Sequence, residues 1–293
     1  MPRSPQAFPI PVVAASTATV HPPEAAEVAP EYLAMPHDMA TFNAPRLPEA
    51  TDVALLAAVV RRLRDLRGRM AATDFAKAAE VTEDLLLWSE AERALAGDLL
   101  GFGEVSAYTH AAADGLHWRA QETAFAGLWR VLALDAAETI QRDFLQGGAI
   151  PPVLSDIMRA TSQPVLPLPD YAVDGVMNAP ALAHEILATA GSHAETRVIN
   201  LTLLPVSETD LDILYTWLTH HAVSILSRGY GNCRITSTRL ANVWWVQYFN
   251  SMDTLILNTL EITAMPEAAR AAREDYEDTL ARLEEYLHTL ESV

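Results

Sequence analysis

A single cysteine, Cys233, occurs among 293 residues. That excludes an internal disulfide and any multi-cysteine metal site built from this chain alone. One lysine, Lys77, stands against 19 arginines, and the acidic surplus gives a net charge of −18. A surplus of that sign excludes a protein that grips a phosphate backbone, so no nucleic-acid partner is expected. It leaves two readings, plain solubility and attraction to a basic partner. No apolar run approaches 18 residues, which excludes a membrane-spanning helix. The opening Met1-Pro2-Arg3-Ser4-Pro5 has no apolar signal core, and a cytoplasmic location is the expectation. Missing too are His-x-x-Glu-His spacing, a Gly-x-Ser-x-Gly elbow and a phosphate-binding Gly-Lys-Ser/Thr loop. No catalytic set, metal or cofactor is expected.

What the chain does have is self-similarity. Ser89-Glu90 and Val105-Ser106 return as Ser207-Glu208 and Val223-Ser224, 118 residues later. Thr123, Ala126, Trp129, Val131, Thr139, Leu145, Ala149 and Pro151 return as Thr238, Ala241, Trp244, Val246, Thr254, Leu260, Ala264 and Pro266, all at an offset of 115. A fixed offset with spaced identities marks a duplicated structural unit. What both copies share is scaffold, and what only one holds is where function is sought.

Three regions follow. Residues 1–50 hold ten of the 18 prolines and read as a Pro/Ala-rich extended arm, whose apolar end at 31–42 either docks on a domain surface or tethers it. Residues 51–165 form the first repeat unit, led by an amphipathic helix at 53–70 with five arginines on its polar face. In this unit 85–88 reads as a buried strand end, and Ser89 with Glu92 as a capping box. Strands are expected near 105–110, 116–121, 128–134 and 138–145. Residues 166–293 form the second unit, after a Pro-rich linker at about 161–180. It should carry a helix near 181–190, a strand at 198–204, a capped helix to about 218, and strands at 223–227, 233–238, 243–250 and 255–262. A long last helix should pack on its own unit's sheet. The expected class is α+β, two tandem units, each a small mostly antiparallel sheet packed with helices and facing each other across a cleft.

The run from Ser227 to Ile235 exists only in the second copy. Two glycines around Tyr230 permit a tight exposed loop between strands. One reading is a recognition loop presenting Arg228, Tyr230, Asn232 and Arg234; the other is an ordinary glycine hairpin. It lacks the third glycine of a dinucleotide fingerprint. Cys233 is either a nucleophile or ligand near His220 and His221, or a small strand residue. Along 242–251, Trp244 matches Trp129 and marks the core face. Trp245, Gln247 and Phe249 then face the other way, under the last helix or under a partner. Asn242 and Asn250 bracket this strand.

These residues resemble a known family. Arg228-Gly-Tyr-Gly-Asn-Cys-Arg-Ile235, Asn242-Val-Trp-Trp-Val-Gln-Tyr-Phe-Asn-Ser251, Leu257-Asn-Thr-Leu-Glu-Ile262 and Pro266-Glu267 are similar to the hydrogenase expression/formation family HupH, also called HyaF or HoxQ, as is the leader-like 31–42. The resemblance implies a non-catalytic accessory protein, a chaperone acting on the iron–sulfur small subunit of uptake nickel–iron hydrogenase before twin-arginine export, beside other accessory proteins. It brings no fixed cofactor or catalytic set. The matching positions Arg228, Tyr230, Asn232, Cys233, Arg234, Asn242, Trp245, Gln247 and Asn250 are the candidate partner contacts. A redox or cluster-handling factor using Cys233, and a scaffold between accessory proteins, are the alternatives.

Overall fold

The computed structural model describes residues 42–49, 51–110, 114–191, 196–229 and 231–292. The arm is outside that set except for its end, where Asn43 bridges Phe102 and Arg46 pairs with Asp98. Among the described residues, the unit running from Leu33 to Val293 shows ten antiparallel strands and six α-helices.

The first half runs α1 (Val53–Ala71), β1 (Thr82–Asp84), α2 (Glu90–Leu100), β2 (Val105–Thr109), β3 (His117–Glu122), β4 (Leu128–Leu134), β5 (Ile140–Gly147) and α3 (Pro152–Thr161). The second runs α4 (Ala179–Ala190), β6 (Arg197–Asn200), α5 (Glu208–Leu218), β7 (His220–Ser227), β8 (Asn232–Thr238), β9 (Val243–Phe249), β10 (Leu255–Ile262) and α6 (Arg273–Glu291). The sheet order is β1-β5-β4-β3-β2-β7-β8-β9-β10-β6. Each half is the same meander, with its first strand added outside its last.

The two halves join edge to edge rather than across a cleft. In the seam, Ala107 pairs with Ile225, and these two positions are equivalent at the offset of 118. Val105 pairs with Ser227 and Thr109 with Val223, which exchange under the same offset. A local twofold therefore passes through the Ala107–Ile225 pair, as in an isologous interface.

The offsets also reappear as matching hydrogen bonds. Ser89 and Ser207 both close capping boxes, on α2 and α5. Trp129 Nε1 donates to the Gly148 carbonyl at 2.9 Å, and Trp244 Nε1 to that of Thr263 at 3.1 Å. Thr123 and Thr238 each accept from, and donate to, the residue two ahead. Asp135 and Asn250 each accept two backbone N–H groups of the turn that follows.

One face of the sheet centres on Trp129 and Trp244, both fully buried, and is covered by α3 and the 3-10 turn Glu267–Ala269. The other face carries two separate helical layers. Leu128 and Leu145 pack under α1, α2 and α6. Val243, Trp245 and Leu260 pack under α4 and α5.

Four further expectations are corrected. The last helix packs on α1 of the first half, where Arg64 and Arg67 meet Glu284, and not on its own sheet. Residues 85–87 are a 3-10 turn, because the Asp84 carboxylate accepts the Leu86 N–H and turns the chain. The strand from 197 stops at Asn200, whose side chain accepts the Leu203 N–H. Residues 163–167 are no free linker: Leu166 is buried, and Trp217 Nε1 donates to the Pro167 carbonyl at 2.7 Å.

Candidate functional site

The second half holds its candidate residues on two faces. Side chains alternate along a strand, so Cys233 faces the Trp244 side while Asn232, Arg234, Trp245 and Gln247 share the opposite side. Strand register places Arg234 beside Gln247 and Gln247 beside Asn258, one row across β8, β9 and β10. Trp245 Nε1 donates to Asn258 Oδ1 at 2.5 Å, and Gln247 Nε2 lies 3.4 Å from the same oxygen. Tyr215 of α5 meets the Trp245 ring edge-on at 5.5 Å. The Arg234 guanidinium stacks over Phe249 at 4.4 Å, and among the described residues it makes no ion pair. Trp245 and Gln247 are buried; Asn232 and Arg234 are half-buried. The cover over Trp245 is α4 and α5, not the last helix.

Arg228 sits where β7 leaves the seam, its N–H donating to the Glu104 carbonyl at 3.0 Å. A Cβ on Gly229 would lie 2.5 Å from Glu104 Oε2, the movable end of a side chain, so a substitution there would displace that carboxylate. Tyr230 lies outside the described residues. Asn242 and Asn250 are held apart from the row, at the two ends of β9. Asn242 has φ 60° and its carbonyl accepts the Thr263 N–H. The Asn250 carboxamide ties the β9–β10 turn.

Comparing the halves position by position shows what is particular to the second. In the first, Arg130 and Asp143 form a bidentate ion pair at 3.0 and 2.8 Å. At the offset of 115 those places are taken by Trp245 and Asn258, a neutral indole–amide bond. Arg119 is bound by Glu138 at 2.6 Å. Its equivalent, Arg234, has Asp253 at the matching turn position and no bond to it. The residue missed from sequence is Asn258, the acceptor that holds the row. The exchange of Arg130 and Asp143 for Trp245 and Asn258 was the signal that could have found it.

Cys233 is buried at 3% exposure and paired across strands with Tyr248, with which it shares a side-chain hydrogen bond. Burial pushes its thiol up to about 12, with the Glu261 carboxylate adding to the rise. The thiolate, the reactive form, is scarce at neutral pH. The equivalent pair in the first half is Trp118 and Ala133. Large-beside-small thus becomes small-beside-large, as close packing demands. Replacing Cys233 with Ala should cost about 1 kcal/mol of stability, as read by denaturant unfolding. A much larger loss would show that the thiol does more than fill its place beside Tyr248.

Among the described residues, no group of three or more His, Cys, Asp or Glu side chains could hold a metal, and no helix is long and apolar enough to cross a membrane. What the row offers is hydrogen bonding, cation–π contact and one unpaired charge. Comparison with known proteins places this arrangement in a class. The C-terminal conserved region of the HupH hydrogenase expression protein matches residues 176–290. The hydrogenase expression/formation protein HoxQ of Cupriavidus necator is 39% identical, over 98% of this chain and 99% of its own. HupH of Rhodobacter capsulatus is 38% identical, over 88% and 90%. The hydrogenase-1 operon protein HyaF of Escherichia coli is 36% identical, over 69% and 70%. The class is that of hydrogenase expression/formation proteins. Within it, this chain belongs to the HupH family.

Proposed function

We propose that this protein is a non-catalytic accessory factor in the maturation of an uptake nickel–iron hydrogenase. It acts in the cytoplasm on the iron–sulfur small-subunit precursor before twin-arginine export, in company with other hydrogenase accessory proteins. The observation that carries this reading is the second-half row. Where the first half neutralises Arg119 and Arg130 internally, the second replaces one by Trp245 and leaves Arg234 unpaired. A face of that kind contacts a partner, and the names of the relatives supply the process. The division into an arm at 1–50 and units at 51–165 and 166–293 belongs to the same proposal, with the second unit as the binding half.

The test is an anaerobic pull-down from cells making the small-subunit precursor with and without its signal peptide. Recovery of the precursor supports the reading, and loss on signal deletion would put the contact at the export signal. Recovery of other accessory proteins alone would favour a scaffold. Replacing Arg234 with Ala should weaken precursor capture about tenfold, the worth of one charged interface hydrogen bond. The far-ultraviolet circular dichroism should stay unchanged, since the side chain is half-buried and stacks from outside. Undiminished capture by this variant would remove the row from the contact.

A further inference from the structure

We propose that Asn232 and Arg234 form a seat for one carboxylate side chain of the partner protein. This rests on the functional reading above and specifies the chemistry of its contact. The first half contains the same seat with its carboxylate supplied internally. Glu138, in the turn between β4 and β5, puts one oxygen 2.6 Å from Arg119 Nη2 and the other 3.1 Å from His117 Nε2. At the offset of 115, His117 becomes Asn232, Arg119 becomes Arg234 and Glu138 becomes Asp253. The frame is preserved. Both turns are tied by the side chain three residues earlier, Asp135 or Asn250. Glu138 and Asp253 have matching backbones, with φ 59° and 56°. The two positions also keep their alternation on β3 and β8.

What differs is reach. Aspartate is one methylene shorter than glutamate, and Asp253 makes no ion pair with Arg234. The arginine lies over Phe249, where the first half has Leu134. Stacking on an aromatic face fixes a guanidinium while leaving its N–H edge free for a carboxylate. An amide at Asn232 can donate to a carboxylate, at the place where the first half sets the His117 ring 3.1 Å from Glu138. The net charge of −18 repels an acidic tract, so the fitting ligand is a single carboxylate on an otherwise neutral or basic surface.

The decisive variant is Asp253→Glu, which restores the internal carboxylate at a solvent-exposed turn position whose backbone already accepts glutamate in the first half. Its affinity for the small-subunit precursor should fall about tenfold, as should that of Arg234→Gln; Asn232→Ala should lose several-fold. Precursor affinity unchanged in Arg234→Gln or in Asp253→Glu would overturn the seat. Nitrogen-15 NMR of the arginine Nε–H groups gives a partner-free readout. In Asp253→Glu the Arg234 signal should move toward that of Arg119. An unmoved signal would overturn the proposal even where precursor binding is lost. Failure of the wild-type protein to bind the precursor would count against the functional reading instead, and the NMR shift would then decide the seat alone.

Discussion

Replacing Asp210 with Ala should cost about 3–5 kcal/mol of folding stability, the largest effect expected of any single polar side chain here. Asp210 is fully buried at the start of α5 and serves two helices. It closes the capping box with Ser207, accepting that N–H at 3.0 Å. It also accepts the N–H groups of Met177, Asn178 and Ala179 at 2.9–3.1 Å, which are the unpaired donors at the start of α4. That helix has no cap of its own, because Asn178 spends its side chain on the Pro205 carbonyl. Burial alone would raise the carboxyl's pKa. Four backbone donors outweigh it and hold the group well below the usual carboxylate range. The equivalent residue, Glu92, accepts one backbone N–H, that of Ser89, and pairs with Arg62 at 3.5 Å at a part-exposed site, so Glu92→Ala should cost about 1 kcal/mol. The sign with pH follows from the depressed folded pKa. The stabilisation is complete above the unfolded value of about 3.9 and is lost as pH falls below it. Urea unfolding of wild type and Asp210→Asn between pH 7 and pH 2 should therefore give curves that converge in acid. Equal costs for Asp210→Ala and Glu92→Ala would show that the bridge to α4 carries no weight.

Much of this architecture was legible because the chain repeats. Strands β4, β5, β9 and β10 have bounds that coincide at the offset of 115, and their alternation and turn residues announce them. Both capping boxes were readable from Ser89 and Ser207, since capping is a local event. The α+β class followed. Long-range choices were hidden. Nothing local says that β2 would pair with β7, or that α6 would cross to α1. Both depend on which apolar face lacks cover after the meanders form. The row of candidate residues was half legible. Trp245 and Gln247 were placed on the right face by period two, yet their shared acceptor, Asn258, lies on another strand and pairs only through register. Cys233 left two readings in one dimension, a reactive thiol or a small strand residue. In three it is the small half of a pair whose large half is Tyr248. The double duty of Asp210 was invisible for the same reason: the α4 donors it caps begin 33 residues earlier in the chain.

Glu122 should behave in the opposite way to Asp210, and Glu122→Gln should stabilise the protein increasingly as pH rises. The carboxylate closes β3, is 6% exposed, and accepts the Gly127 N–H at 3.0 Å. Gly127 has φ 75°, and a Cβ there would lie 2.6 Å from the Tyr276 ring of α6. Glu122 thus holds the turn on which α6 is seated. One backbone donor does not compensate its desolvation, and the carboxylates of Glu104 and Asp275 add repulsion. Its pKa is pushed up to about 7 from 4.5. A raised folded pKa gives stability that is complete below 4.5 and is lost as pH climbs through 7. Glutamine keeps a carbonyl for Gly127 and carries no charge at any pH. The stability difference between Glu122→Gln and wild type should then grow by about 2–3 kcal/mol from pH 5 to pH 8.5, most of it between 5 and 7. The half-two equivalent, Ser237, cannot titrate; its hydroxyl accepts the Val223 N–H at 3.0 Å, so Ser237→Ala should give a penalty independent of pH. Denaturant unfolding of the three proteins across that range checks this. Parallel curves for wild type and Glu122→Gln would mean that the carboxylate is paired or solvated in the folded state. The seating of α6 would then owe nothing to its protonation.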